Sequence, residues 1–206
     1  MSGALALVEV GGWSPGMVIL DAMEKAGAIE LLQSELNDRP GVMLKFTGPL
    51  GDIKTAVDAA EAIAERMQVG IIVDVIPSPA PGSSDAYEGK PDFNPLMEQA
   101  TVQMPEKKSP EKKESQSPFA VGLIETQGFT AVFEAIDTAL KAAAVEVLAR
   151  EKLGGGYITV IIKGDVAAVN AAIEAGKAKV EGLGKLIAAH VIPSPSAGVL
   201  SLLPKL

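Results

Sequence analysis

The sequence predicts a duplicated α/β (α+β) fold, in which two similar units follow one another along the chain. The pentapeptide VIPSP occurs at residues 75–79 and again at residues 191–195, a shift of 116 positions. With that shift and no gap, residues 4–79 match residues 120–195 at about 22 of 76 positions, which indicates a tandem repeat. Both halves also show the same order of strand-like and helix-like hydrophobic patterns.

The hydrophobic patterns predict six elements in each unit. A short apolar run of strand length comes first, ALALVEV in one unit and AVGLIET in the other. Residues 15–26 and 130–143 follow, with apolar residues at helical spacing. The remaining elements, first unit then second, are strands IELLQSEL and VEVLAREK, strands VMLKF and YITVIIK, helices at about 52–67 and 166–180, and strands GIIVDVI and LIAAHVI. This β-α-β-β-α-β order is ferredoxin-like, with helices on one face of an antiparallel sheet.

These elements divide the chain into a first domain at residues 1–79 and a second at residues 119–206. Residues 80–118 between them are rich in Pro, Gly, Ser, Lys and Glu. A connection of that length is unusual inside a compact domain, so we expect a linker between domains. A short helix near residues 94–100 and a mobile Lys/Glu-rich half are expected within it.

The composition excludes several kinds of partner. The net charge of −8 argues against nucleic acid, because phosphate binding needs clustered Lys and Arg. No apolar run approaches the roughly 18 residues of a membrane span, and a basic signal-peptide start is missing. The sequence therefore predicts a cytoplasmic protein without a membrane or nucleic-acid partner.

The chain has no cysteine and one histidine. Disulfides, thiolate catalysis and cysteine-bound metals are thereby excluded, and a histidine-based metal site is disfavoured. Asp21 with Lys25, and Asp137 with Lys141, have the spacing of ordinary helix ion pairs. The sequence shows no nucleophile–base arrangement and no cofactor motif, so we expect neither an enzyme nor a bound cofactor or metal.

Three consecutive glycines lie between two predicted strands, in REKLGGGYITV at residues 150–160. Such a run marks either a tight hairpin or a place where a ligand approaches the backbone. The motif precedes a strand rather than a helix and lacks the G-x-G-x-x-G spacing, which argues against phosphate binding. Trp13 and Phe129 are paired by the repeat at a strand-to-helix junction, where core packing is the usual role.

The second unit resembles a bacterial microcompartment shell domain. The residues that carry the resemblance are VGLIETQGFTAVFEAIDTALKAAAVEVLAREKLGGGYITVIIKGDVAAVNAAIEAG and the following HVIPSP. The first unit is a weaker match, and its loop reads LNDRPG. Two such domains in one chain, in unpermuted order, resemble the tandem shell proteins, which form homotrimers shaped like hexamers. The resemblance implies a structural protein whose partners are other microcompartment shell proteins.

In that family the glycine-rich loop lines a central pore through which small polar metabolites cross the shell. Glycine amides would offer hydrogen-bond donors to anionic solutes, while Arg39 would attract them and Asp38 repel them. The residues that the resemblance assigns to the pore are Asn37, Asp38, Arg39, Pro40, Leu153, Gly154, Gly155 and Gly156.

The family also implies contacts between neighbouring tiles. Single-domain members typically carry a lysine in the segment that reads ETQG here, and an arginine in the segment that reads IPSP. This chain has Gly11 and Gln127 at the first place, and Ser78 and Ser194 at the second. The altered edge weakens the expectation that the tiles form flat sheets.

A second class of function remains open at this point. Duplicated ferredoxin-like domains also serve as regulatory sensors that bind a small molecule between domains. A sensor should form closed oligomers and bind one metabolite tightly, whereas a shell tile should form rings.

Overall fold

The computed structural model describes residues 3–37, 41–90, 93–95, 99–105 and 119–203. The first unit contains β1 (Ala4–Gly11), α1 (Trp13–Ala26), β2 (Glu30–Asn37), β3 (Gly41–Gly48), α2 (Leu50–Met67) and β4 (Ile71–Ile76). The connecting residues contain α3 (Ser84–Tyr87), β5 (Phe93–Asn94), β6 (Gln99–Ala100) and β7 (Val102–Gln103). The second unit contains β8 (Ala120–Gln127), α4 (Phe129–Ala142), β9 (Val145–Gly154), β10 (Tyr157–Gly164), α5 (Val166–Lys177), β11 (Lys185–Ile192) and α6 (Ala197–Leu202).

Each unit folds as an antiparallel sheet with two helices on one face. The strand order is β4-β1-β3-β2 in the first unit and β11-β8-β10-β9 in the second, so equivalent strands occupy equivalent places. Ala6, Val8 and Val10 alternate along β1, and all three are fully buried in the core with helix residues. This period of two is what places one sheet face against helices. The predicted duplicated fold with antiparallel sheets is confirmed.

The long helix of the first unit, α2, shows how sequence spacing becomes packing. Ile53, Ala56, Ala60 and Ala64 recur every three or four residues and are all buried. Alanine at three of these positions lets α2 approach α1 and the sheet closely, because it has no bulk beyond Cβ. The helix ends at Gln68, which adopts a left-handed conformation with φ 55°.

The two units share one hydrophobic core. The second sheet turns its helix-free face toward α1 of the first unit, so Leu123 and Ile161 are in the same buried cluster as Trp13 and Met17. All four side chains are fully buried. The second unit's own helices pack on its opposite face in a separate cluster around Ile124. The first unit's α1 therefore lies between two sheets.

Part of the predicted linker packs on the first unit. β7 extends the first sheet by pairing with β2, and Val102 in it is buried. Tyr87, earlier in the linker, also contacts the first sheet, because its carbonyl accepts from Lys45 on β3. Lys45 Nζ also donates to Gln33 Oε1 at 2.9 Å and forms an ion pair with Glu35 at 2.5 Å. A lysine only 5% exposed needs such partners, since an unpaired buried charge is costly. Residues 106–118, where mobility was expected, lie outside the described residues.

Both ends of the short helix expected near residues 94–100 are extended instead. They form a two-stranded pair, with Phe93 opposite Ala100 and Asn94 opposite Gln99, while residues 96–98 lie outside the described residues. Pro95 supplies the physical reason, because the residue before a proline is disfavoured in helical conformation and favours an extended one.

Candidate functional site

The three glycines form the tip of the hairpin between β9 and β10. Gly154, Gly155 and Gly156 have φ values of 81°, 58° and 82°. Gly154 pairs with Tyr157, so Gly155 and Gly156 are the two central residues of the turn. Positive φ at both central positions is the type I′ pattern that matches strand twist. Among the described residues, a Cβ on Gly154 or Gly156 would meet no heavy atom within 4 Å, so backbone conformation, not space, requires glycine.

The hairpin tip is exposed and anchored at its base. All three glycines are exposed, whereas Leu153 is only 8% exposed and belongs to the core that joins the units. The Gly128 N–H donates to the Gly156 carbonyl at 2.9 Å, which ties the turn to the end of β8. Of the second-unit residues predicted for a pore, the glycines are therefore the ones that present backbone groups to solvent.

We expect Gly155→Val to destabilise the chain by about 1–2 kcal/mol, the usual cost of a left-handed conformation in a residue with a side chain. The matched control is Gly70→Val, because Gly70 has open space around it and no positive φ. Urea denaturation of both variants measures the difference. Equal losses of unfolding free energy would contradict the role given to φ.

The equivalent loop of the first unit is described only at its start. Asp38, Arg39 and Pro40, predicted for the pore, lie outside the described residues. Asn37 is the last residue of β2, and its Nδ2 donates to Glu9 Oε1 at 2.9 Å. The start of this loop is thus bonded to a carboxylate on β1.

A buried carboxylate connects the two units. Glu125 Oε2 on β8 accepts the backbone N–H of Ser14 at 2.7 Å, and both residues are fully buried. Ser14 lies in the first turn of α1, whose N–H groups have no partner within the helix. The N-cap residue is Gly12, which has no side chain to accept them. Glu125 supplies this acceptor, and its ionised form has its negative charge at the positive end of the helix dipole.

Glu125 should make stability depend on pH. Burial raises its pKa above the usual 4.5, although the backbone N–H groups of Ser14 and Trp13 oppose the shift. A folded-state pKa above the unfolded one means that this group's contribution to stability is complete below about pH 4.5 and is lost as pH rises through the folded-state pKa.

Glu125→Gln keeps an oxygen acceptor for Ser14 but cannot ionise. We therefore expect the variant to gain stability relative to the unmodified chain as pH rises from about 4 to about 7. Urea denaturation at several pH values, in dilute samples, measures this difference. Glu61→Gln on the exposed side of α2 is the control and should show no such trend. If the free energy of unfolding changed equally with pH in Glu125→Gln and in the unmodified chain, the role given to Glu125 would be contradicted.

Polar contacts from α1 reach the segment that follows β11. Lys25 Nζ donates to the Ser194 carbonyl at 2.7 Å. Asp21 Oδ1 accepts the Ser196 N–H, and Glu24 Oε2 accepts the Gly198 N–H, each at 2.8 Å. Asp21 and Lys25 also form the predicted helix ion pair at 2.6 Å. Sequence spacing indicated that pair, but gave no sign that it also binds the second unit.

The predicted tile-edge residues have different surroundings. Gly11, Gln127 and Ser78 are exposed. Ser194 is partly buried, because its carbonyl takes the bond from Lys25 between the units.

Repeat-related helix faces differ sharply in exposure. Trp13 and Met17 of α1 are fully buried under the second sheet, whereas their equivalents Phe129 and Phe133 of α4 are 40% and 50% exposed. The prediction that Phe129 packs in the core is therefore wrong for the single chain. The two phenyl rings contact each other, with centroids 6.4 Å apart. An apolar helix face remains uncovered on the second unit.

The helix-free sheet faces show the reverse asymmetry. Ala188, beside Glu125 on the second sheet, is 9% exposed. Its equivalent Ile72, beside Glu9 on the first sheet, is 70% exposed. The chain thus covers one helix face and one sheet face, and leaves open the α4 face and the part of the first sheet around Ile72. Lys45 lies on the same face of the first sheet but is already covered by the segment that contains Tyr87.

The described residues contain neither a metal-binding cluster nor a membrane-spanning helix. Within residues 3–37, 41–90, 93–95, 99–105 and 119–203, no group of three or more His, Cys, Asp or Glu side chains is placed to hold a metal ion. In the same part of the chain, no helix is long and apolar enough to cross a membrane.

Comparison with known proteins identifies the repeated unit. Residues 4–79 and 120–195 each match the BMC domain family. Bacterial microcompartment shell protein PduA of Salmonella typhimurium is 48% identical over 86 residues, which are 42% of this chain and 92% of PduA. Carboxysome assembly protein CcmO of Synechococcus elongatus is 30% identical over 204 residues, which are 99% of this chain and 70% of CcmO. A solved microcompartment protein from Desulfitobacterium hafniense has 24% identity and a TM-score of 0.38, over 95% of this chain and 96% of that one.

Two BMC domains in tandem account for most of the chain, so the protein belongs to the bacterial microcompartment shell proteins. Members of this family are structural proteins rather than enzymes, and they assemble with other shell proteins. The resemblance seen in the sequence is confirmed.

Proposed function

We propose that the chain forms a homotrimer, a ring of six BMC domains with the outline of a hexamer, and that this ring is a pore-bearing tile of a microcompartment shell in the bacterial cytoplasm. The shell role follows from the family. The trimer, the pore and the passage of small polar metabolites are the proposal.

The observation that carries the proposal is the interface inside the chain. There the sheet face of one unit covers the helix face of the other, with Trp13 and Leu123 in one buried cluster. The open α4 face and the open part of the first sheet around Ile72 and Glu9 correspond, by the repeat, to surfaces that this interface buries. A second copy that docked its α4 face on this open part of the sheet would repeat the internal contact there.

This docking is head-to-tail, because the two surfaces involved are different. Such heterologous contacts close into a ring when the rotation between successive units permits, and otherwise produce filaments. Each chain supplies two units, so a six-membered ring needs three chains. Ring closure leaves no open helix face, which is a physical reason for a closed assembly rather than a growing one.

The glycine hairpin supports a pore in such a ring. Its three glycines are exposed. Because their positive φ values favour glycine over other residues, the tip carries no side chains. We propose that Gly154, Gly155 and Gly156 alternate around the axis with Asn37, Asp38, Arg39 and Pro40 of the first-unit loop. Backbone dipoles of this kind select small polar solutes by width and hydrogen bonding.

We propose Gly11, Gln127 and Ser78 as contacts between tiles, with the Ser194 segment also at that edge. These positions offer hydrogen bonds rather than the charges of single-domain relatives. Contacts through them should be weak, so mixed tiling with other shell proteins is favoured over flat sheets of this chain alone.

Light scattering on the purified protein, with negative-stain images of the same sample, tests the proposal. A mass of three chains and rings with a central hole are expected. A monomer or a dimer without rings would overturn the tile and favour a duplicated ligand-binding sensor instead.

A further inference from the structure

We propose that Glu9 fixes the contact between neighbouring chains. Its carboxylate accepts the backbone N–H of Thr130, at the start of α4 of the next chain, while remaining bonded to Asn37 of its own chain. This inference rests on the proposed ring and assigns a residue-level role within it.

The contact inside the chain is the template. Glu125 accepts the Ser14 N–H at 2.7 Å. The repeat relates Glu125 to Glu9, and Ser14 to Thr130. Gly12 before α1 and Gly128 before α4 have similar backbone angles, with φ 107° and 123° and ψ 140° and 119°. The first turn of α4 therefore presents its N–H groups in the same way as α1.

The surroundings of Glu9 fit an apolar helix face. Its cross-strand neighbours are Met43 on β3 and Ile72 on β4, and Ile72 is 70% exposed. Phe129 and Phe133 on α4 would cover this surface, as Trp13 and Met17 cover the second sheet. The carboxylate would then be enclosed by apolar groups, where an unpaired charge is costly and an N–H partner is needed.

Glu9 has one feature that Glu125 lacks. Asn37 Nδ2 already bonds its Oε1 at 2.9 Å, which leaves Oε2 for the incoming helix. The repeat places apolar Leu153 at the position equivalent to Asn37, so the second unit has no such bond from that residue. Glu9 would therefore hold the last residue of β2 and the incoming helix at the same time.

The test compares assembly of Glu9→Ala, Glu9→Gln and Glu61→Ala by mass measurements over a dilution series. Loss of a charge-assisted bond at a helix start should raise the half-assembly concentration of Glu9→Ala by about tenfold or more. Glu9→Gln leaves one acceptor oxygen for two donors, Asn37 Nδ2 and the Thr130 N–H, so the half-assembly concentration should rise by an intermediate factor of about threefold. Glu61→Ala removes an exposed carboxylate from α2 and should change nothing.

Circular dichroism melts of dilute samples show whether each variant is folded. Asn37→Leu, which copies the second unit, is a further variant and should weaken assembly less than Glu9→Ala. If Glu9→Ala assembles at the same concentration as Glu61→Ala, the role of Glu9 is overturned while the ring stands. A wild-type chain that stays monomeric overturns both.

Cross-linking provides a direct second test, because the chain has no native cysteine. Chains with Glu9→Cys are mixed with chains carrying Thr130→Cys and treated with a short bis-maleimide during subunit exchange. Covalent dimers are expected from the mixture and not from either variant alone. A mixture of Glu61→Cys and Thr130→Cys is the control. If the Glu9 mixture yields no more dimer than this control, the proposed contact is overturned.

Discussion

The Phe133→Glu variant is expected to purify as a folded monomer. Phe133 is half exposed in the single chain, so a charge there costs the isolated fold little. In the proposed ring the same side chain is buried against the neighbouring sheet, as its repeat equivalent Met17 is inside the chain. Burying an unpaired carboxylate costs about 3 kcal/mol or more per contact, which corresponds to at least a hundredfold weaker association. Light scattering measures the mass, and thermal melts check the fold.

Leu50→Glu is the matched control for Phe133→Glu. Leu50 is 36% exposed and its repeat equivalent Val166 is 44% exposed, so this position is covered in neither unit. It therefore belongs to neither half of the repeated interface, and its variant should assemble normally. A trimeric Phe133→Glu, or a monomeric Leu50→Glu, would contradict the proposed arrangement of chains.

Trp13→Ala is expected to lower the free energy of unfolding by about 3–5 kcal/mol, the usual cost of removing a large buried aromatic side chain. Trp13 is fully buried in the cluster that joins the two units. Its loss leaves a cavity beneath the second sheet and weakens the packing of one unit on the other. Urea denaturation in dilute samples measures the loss.

Phe129→Ala provides the comparison, because the repeat places Phe129 at the position of Trp13. Phe129 is 40% exposed, so its truncation should cost the dilute chain about 1 kcal/mol or less. Its main effect should be on assembly, which light scattering records. If the two variants lost the same stability as dilute monomers, the asymmetry between the two helix faces would be contradicted.

Two local features of the structure could be predicted from sequence signals, namely the glycine turn and a helix ion pair. The glycine triplet between two strand patterns indicated a tight turn, and Gly155 and Gly156 form one with positive φ. The Asp21–Lys25 spacing indicated an ion pair, which is present at 2.6 Å. These features depend on residues close together in the chain, where backbone geometry and side-chain spacing decide the outcome.

Glu125 could not be assigned in the same way. In the sequence it is one of two carboxylates, with Glu9, that the repeat places in the first strand of each unit. Its partner is the backbone N–H of Ser14, which is 111 residues away and carries no side-chain signature. A backbone donor at a helix start becomes visible only when the two units are placed together.

The sequence by itself determined the two units, their order of elements and the family to which the chain belongs. Those properties follow from the spacing of the hydrophobic residues and from the repeat, which places the same order of patterns in both halves. Only the tertiary structure decided that Trp13 is covered and Phe129 is open, or that Ala188 is covered and Ile72 is open. The reason is physical: within one chain two units share a single mutual interface, so one copy of each repeated surface is buried and the other faces outward.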